Sequence, residues 1–170
     1  MSIIELSIGL LDSKELSVRL KQGEPIIQGK CGNDIEFFLS QCGVLILSGS
    51  GSTYNYHSKK AAPWDKYKSS IVAVIVEEGI ENLGNGLFER CTSLERVSVG
   101  IGVSNIGSNV FNECGNLKEI SLPESLKSIG NYAFNGTKLT NVIYDGSDEE
   151  WDKIVIGIKK GKFTIPKLSK

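Results

Sequence analysis

The 170-residue chain contains one histidine, one methionine and only four prolines. A single histidine, His57, leaves no set of imidazoles for a zinc site or a histidine-based relay. Cysteine is sparse as well. Cys31, Cys42, Cys91 and Cys114 are too few for a disulfide scaffold, and no C-x-x-C spacing occurs. The longest clean apolar run covers residues 71–76, whereas a membrane-spanning helix needs about 20 such residues, so no membrane insertion is expected. Neither charge sign dominates: 19 basic and 20 acidic side chains leave a formal charge of −1. No global field draws the chain to nucleic acid or an anionic bilayer. The first residues, Met1 to Glu5, lack a basic region and are interrupted by an acid, so no signal peptide is expected.

Glycine, in contrast, is plentiful at 19 residues, and many glycines with few prolines point to tight turns, β architecture and repeats. Apolar residues make up 40% and charged residues 23%, the balance of an ordinary folded domain.

Internal periodicity decides the organisation. Leu94, Val97 and Val99 are followed 23 residues later by Leu117, Ile120 and Leu122, and preceded at the same interval by Ile71, Val74 and Val76. Ile80, Val103 and Leu126 keep this register, as do Leu83, Ile106 and Ile129 with their following glycines Gly84, Gly107 and Gly130. Phe88, Phe111 and Phe134 close the units; Cys91 and Cys114 match, with Thr137 at that position in the third copy. A fourth copy opens one residue early at Leu139, Val142 and Tyr144. One unit cannot bury its own apolar face, but stacked copies line like on like into one core. The L-x-x-V-x-V segment reads as a short strand with apolar residues inward. The glycine after each Leu or Ile fits either a positive φ or a close backbone approach.

The pattern from Cys91 to Cys114, C-x-x-L-x-x-V-x-V-(x)6-I-G-x-x-x-F-x-x-C, resembles the leucine-rich repeat of the BspA-like (Treponema-type) family. Leu122-Pro123 with Leu126, Ile129-Gly130 and Ala133-Phe134 follows the same consensus, while Glu77 and Gly100 replace the proline in the earlier copies. Cys31-Gly32, the Gly43 to Gly51 stretch, Tyr56 and Pro63-Trp64 look like the segment that often precedes such arrays. Tyr144, Gly146, Trp151 and Ile154 look like the segment that closes them. The resemblance implies a mainly β solenoid with short helical turns, about three to four repeats of 23 residues between an N-terminal β cap and a C-terminal cap. The expected division is a β-hairpin flank over 1–30, a cap of short strands and loop over 31–70, three repeats over 71–138, and a partial repeat with its cap over 139–170.

The flanks read as follows. Leu6, Ile8 and Leu10, then Leu16, Val18 and Leu20, alternate with polar or small residues around Asp12-Ser13-Lys14, the pattern of a hairpin. Gly9 and the period of two speak against the rival amphipathic helix. Residues 49–53 read as a turn after a strand at 44–48; they lack the lysine and spacing of a phosphate loop, so no nucleotide cofactor is expected. Lys59, Lys60, Lys66 and Lys68 surround Pro63-Trp64 in what reads as a solvated loop, with Trp64 packed on the first repeat. Glu149 and Glu150 fit the first turn of a short helix. The lysine-rich tail, with Phe163, Ile165 and Leu168, reads as a last strand with lysines guarding its edge.

No catalytic set emerges. His57 lies in a polar loop, and the acidic cluster from Asp145 to Asp152 lacks calcium-loop spacing. Cys91 and Cys114 are expected as free core thiols; Cys31 and Cys42 flank a hairpin and have the better chance of pairing. Binding is expected on the outward side chains of successive strands: Val72, Ala73 and Ile75 in the first copy, then Glu95, Arg96 and Ser98, then Lys118, Glu119 and Ser121, and last Thr140, Asn141 and Ile143. The outward Ile75 is expected to lie under the cap formed by residues 31–70. Proteins of the resembled family are mostly surface or secreted proteins of host-associated microbes implicated in adhesion. The resemblance therefore implies a non-enzymatic binding module, monomeric, without metal or cofactor, whose partner is a protein or peptide such as a host extracellular-matrix protein. The alternative is an intracellular scaffold or regulator, consistent with the expected lack of a signal peptide.

Overall fold

The computed structural model describes residues 12–158. The first described element is a helix, α1 (Ser13–Leu20). Three long antiparallel strands follow: β1 (Pro25–Lys30), β2 (Gly32–Ser40) and β3 (Val44–Thr53). A 3-10 helix (Asp65–Ser70) leads into the repeats. Each repeat turn then gives one strand to each side of a flattened coil. One side carries β4 (Ala73–Val76), β6 (Arg96–Val99), β8 (Glu119–Leu122) and β10 (Asn141–Tyr144). The other carries β5 (Ile80–Leu83), β7 (Asn105–Ile106), β9 (Ser128–Ile129) and β11 (Val155–Ile156). A short helix, α2 (Asp148–Trp151), separates β10 from β11.

All pairings within the repeats are parallel, in the order β10-β8-β6-β4-β3 on one side and β3-β5-β7-β9-β11 on the other. Strand β3 joins the two layers: its first half pairs with β4 and its second half with β5. The repeat register is that of the sequence, with Val74, Val97, Ile120 and Val142 in one inward row. Phe88, Phe111 and Phe134 stack down the coil at 5.5 and 5.3 Å between ring centroids. Trp64 extends the stack by lying 5.9 Å from Phe88, fully buried as expected. The indole therefore ties the N-terminal segment to the aromatic column of the repeats.

The glycines after Leu83, Ile106 and Ile129 serve close approach rather than positive φ. A Cβ at Gly84 would lie 2.2 Å from Tyr54 O, one at Gly107 2.8 Å from Leu83 O, and one at Gly130 2.5 Å from Ser108 N. Within the repeats, positive φ falls on three other ladders: Gly79 and Gly102, then Gly86, Asn109 and Tyr132, then Arg90, Glu113 and Gly136.

Two expectations are corrected. Residues 13–20 form a helix, not the second strand of a hairpin. Asp12 Oδ1 accepts from Glu15 N at 2.8 Å, and Glu15 pairs with Arg19 at 2.8 Å one turn on. This N-cap and the i,i+4 pair favour the helix over the apolar alternation. Residues 49–53 are not a turn; β3 runs on through them, because Gly49 and Gly51 at positive φ let the strand bend from one layer to the other. All four cysteines are free; Cys31 and Cys42, the pair with the better chance of bridging, flank opposite ends of the nine-residue β2, too far apart to bridge. The expected strand over Leu6, Ile8 and Leu10 and the lysine-rich tail lie outside the described residues. The short helix at Glu149 and Glu150 is present; Ser147 and Glu150 form a reciprocal capping box at its start.

Candidate functional site

Outward side chains of the β4-side layer form two cross-strand rows. One runs Val44, Ala73, Arg96, Glu119, Asn141; the other runs Ile46, Ile75, Ser98, Ser121, Ile143. The strand period of two places both rows on the same face. Six of the nine expected binding residues (Arg96, Ser98, Glu119, Ser121, Asn141 and Ile143) therefore share that face on adjacent strands. Glu95, Lys118 and Thr140 lie one residue before each strand, exposed at the rim. Their backbones continue the ladder, Lys118 N donating to Glu95 O at 3.0 Å and Thr140 N to Lys118 O at 2.9 Å.

The face has two halves of different chemistry. Over β3 and β4 it is apolar, and α1 covers it: Leu16 packs with Val44, Ile46, Ala73 and Ile75. Ile75 is thus capped, but by α1 rather than by residues 31–70. Over β6, β8 and β10 the floor is polar and open. Arg96 is exposed and has no ion-pair partner among the described residues. The Glu119 carboxylate accepts from Asn141 Nδ2 at 2.8 Å. A depression of about 260 Å³ lies where the halves meet, between Ser13 and Leu16 of α1 and the floor of Arg96, Ser98, Glu119 and Ser121.

Rigidity comes from polar ladders that the sequence reading missed. Asn82 donates to Ser52 at 2.7 Å, Asn105 to Asn82, and Ser128 to Asn105 at 2.7 Å. On the turns, Asn112 donates to Glu89 at 2.9 Å and Asn135 to Asn112 at 2.8 Å. Apart from Ser52, these residues follow the same 23-residue interval as the apolar ladder, and that interval was the signal that would have found them. Two open depressions on this turn side, each about 670 Å³, include ladder residues in their lining, Glu89 in one and Asn112 with Asn135 in the other.

Reactive groups do not converge. His57 is exposed, and its Nδ1 accepts from Lys59 N at 3.3 Å. Cys42 lies at the other end of the ten-residue β3, so the two form no dyad. Burial pushes the Cys31 thiol up to about 12 and Cys114 likewise, opposite to an activated nucleophile. Cys114 Sγ instead donates to Phe88 O at 3.1 Å inside the coil. Among the described residues no group of His, Cys, Asp and Glu stands together as metal ligands. No described helix is long and apolar enough to cross a membrane.

A parallel two-layer coil with a 23-residue repeat, inward aliphatic rows and a phenylalanine column defines a leucine-rich-repeat solenoid. The chain belongs to the BspA type leucine-rich repeat family: the family model described as "BspA type Leucine rich repeat region (6 copies)" matches residues 66–155, more than half of the chain. A leucine-rich repeat protein from Eubacterium ventriosum ATCC 27560 has the same fold, with a TM-score of 0.60 and 23% identity over 87% of this chain and 45% of that one. One from Bacteroides ovatus ATCC 8483 aligns with a TM-score of 0.48 and 23% identity over 77% of this chain and 37% of that one. A leucine rich cell surface protein from Faecalibacterium prausnitzii A2-165 aligns at 0.47 and 19%, over 74% and 41%. The chain spans less than half the length of these three solved proteins. No curated protein matches it.

Proposed function

We propose that the chain is a non-enzymatic protein-binding module whose recognition surface is the outward face of β6, β8 and β10. The observation that carries this reading is the pair of open rows beside α1: Arg96, Glu119 and Asn141, then Ser98, Ser121 and Ile143. A surface binder needs side chains held in register and presented outward. Here the inward rows and Asn ladders hold the strands, and the outward rows point away from the core. Exposed Arg96 on the floor and Lys118 at the rim supply the cationic anchors. Three strands at about 4.8 Å spacing offer a platform roughly 10–15 Å wide, suited to a peptide or a small protein patch. The partner class we favour is an extracellular protein of a host, met by a module exposed at the cell surface; the family to which the chain belongs supports this choice. The second reading is an intracellular scaffold, favoured by the four unbridged cysteines.

The test is affinity. Purified extracellular-matrix proteins are titrated against the native chain and against the double variant Arg96→Glu, Lys118→Glu. Saturable binding by the native chain that falls at least tenfold in the variant supports the reading. Equal affinity for both removes the face from the account.

A further inference from the structure

The apolar half of the outward face already has an occupant. Leu16 of α1 is buried there and Leu20, one turn on, is partly buried beside it, over Val44, Ile46, Ala73 and Ile75. The ends are tied by charge. Lys14 Nζ lies 3.1 Å from Glu78 Oε1, Lys21 Nζ lies 2.8 Å from Glu77 Oε1, and Ser17 donates to the same Glu77 carboxylate. The chemistry of the seat is therefore on display: an apolar strip for two residues spaced i,i+4, bounded by an acidic pair that takes lysines.

The occupant is short, and it is held by the buried Leu16 and Ser17 and by the partly buried Lys21–Glu77 pair. It has eight residues, below the roughly 12–15 at which an isolated helix becomes even marginal, so its helicity depends on the seat. Its far side faces water, with Val18 55% exposed. The Lys14–Glu78 pair is solvent-exposed and weak. No strand of the array depends on α1 for its pairing: β3 and β4 are bonded to each other and to β2, β5 and β6. Lifting α1 thus exposes a preformed apolar strip, continuous with the open depression beside Leu16.

We propose that the strip over β3 and β4, with Glu77 and Glu78 at its end, is a docking site for a basic amphipathic helix of a partner protein, and that α1 is its resident competitor. The proposal rests on reading the outward face as the binding surface, and it names the partner's chemistry and the control on access. The partner helix carries apolar side chains at i,i+4 with Lys or Arg on either side, the helix-in-groove mode. A longer helix with the same pattern outcompetes α1 because it also reaches the polar floor at Ser98 and Ser121. Its apparent affinity is lowered by the fraction of chains in which α1 is seated.

The probe is a fluorescein-labelled peptide of residues 12–23, titrated by anisotropy against the full chain, against Leu16→Asp, and against Leu16→Asp with Glu77→Lys and Glu78→Lys. Leu16→Asp unseats the internal helix without altering the strip. It is expected to bind the peptide at least tenfold more tightly than the native chain, and the added charge reversals are expected to abolish that gain. Equal binding by all three chains, or no binding by Leu16→Asp with its β signal intact, overturns the proposal. A concentration-dependent dimer of the native chain that blocks the peptide also overturns it, in favour of a second copy's α1. Hydrogen exchange on the native chain needs no variant: amides of residues 16–20 are expected to exchange at least 100-fold faster than those of Val97 and Ile120. Equal protection makes α1 part of the fixed core and ends the argument. The peptide test leaves Arg96 and Lys118 unaltered, so its failure leaves the reading of the open half standing, and failure of the matrix-protein titration leaves this one standing.

Discussion

Phe111→Ala removes the central ring of the aromatic column. The side chain is fully buried and stacked on both sides, 5.5 Å from Phe88 at 20° and 5.3 Å from Phe134 at 12°. Truncating such a ring costs about 3–5 kcal/mol through lost burial and an unfilled cavity. Each stacked pair contributes about 0.5–1.5 kcal/mol within that total. Domains of ordinary stability have about 5–15 kcal/mol in all, so the variant loses a large share. The position of the cavity adds a second signature. Repeats hold only their neighbours, so a gap in the middle weakens the coupling between the two ends of the array. In a Trp151→Phe background, Trp64, packed 5.9 Å from Phe88, reports the N-terminal end by fluorescence, and far-UV circular dichroism reports the whole. In urea the two signals are expected to coincide for the native chain and to separate for Phe111→Ala. Phe134→Ala, with one stacked neighbour and slight exposure, is expected to cost less. A loss below about 1 kcal/mol, far under the range for a buried aromatic ring, or a cost no greater than that of Phe134→Ala, refutes the proposed stacking.

Other consequences are as direct. Arg90 and Glu113 adopt φ of 62° and 60° at the ladder position where the next copy has Gly136. A left-handed non-glycine residue carries about 1–2 kcal/mol of strain, partly offset by glycine's unfolded-state entropy of about 0.4–1 kcal/mol, so Arg90→Gly or Glu113→Gly is expected to raise stability by about 0.5–1 kcal/mol in urea melts. Gly130→Ala should destabilise by more than about 1 kcal/mol, since its Cβ would meet Ser108 N at 2.5 Å and the neighbouring strand backbone cannot yield cheaply. Burial holds the thiols of Cys31 and Cys114 protonated up to about pH 12, against an ordinary value of 9.0. The folded chain therefore binds more protons than the unfolded one between those values; stability is full below pH 9 and declines as pH rises towards 12. A thiol reagent at pH 8 is expected to label Cys42 rapidly in the native chain, and the three buried cysteines only with denaturant.

The repeat array was legible because its signal is redundant. Each inward position recurs at a fixed interval, so a single odd residue, such as Thr137 in place of cysteine, does not hide the pattern. The same redundancy gave the outward rows, since inward positions fix outward ones by the strand period. The N-terminal flank had no such support. Leu16, Val18 and Leu20 alternate like a strand, but a cap at Asp12 and the Glu15–Arg19 pair decide for helix, and only Leu16 and Leu20 turn inward. The apolar character of Ala73 and Ile75 foretold a cover without saying which segment supplies it. The run of β3 through Gly49 and Gly51 was hidden because glycine in a strand looks like a turn until the partner strands are known.

The most direct test of the account is a footprint by substitution with three forms of the chain: native, Arg96→Glu with Lys118→Glu on the outward strand face, and Asn109→Asp with Asn131→Asp on the turn side. Each is immobilised and offered extracellular-matrix proteins and, separately, lysate of the producing cell; every protein captured is then titrated in solution against all three forms. The account predicts that the strand-face form loses at least tenfold in affinity while the turn-side form binds as the native chain does. The reverse pattern, with the turn-side form losing its ligand and the strand-face form keeping it, contradicts the claim that the outward strands are the recognition surface.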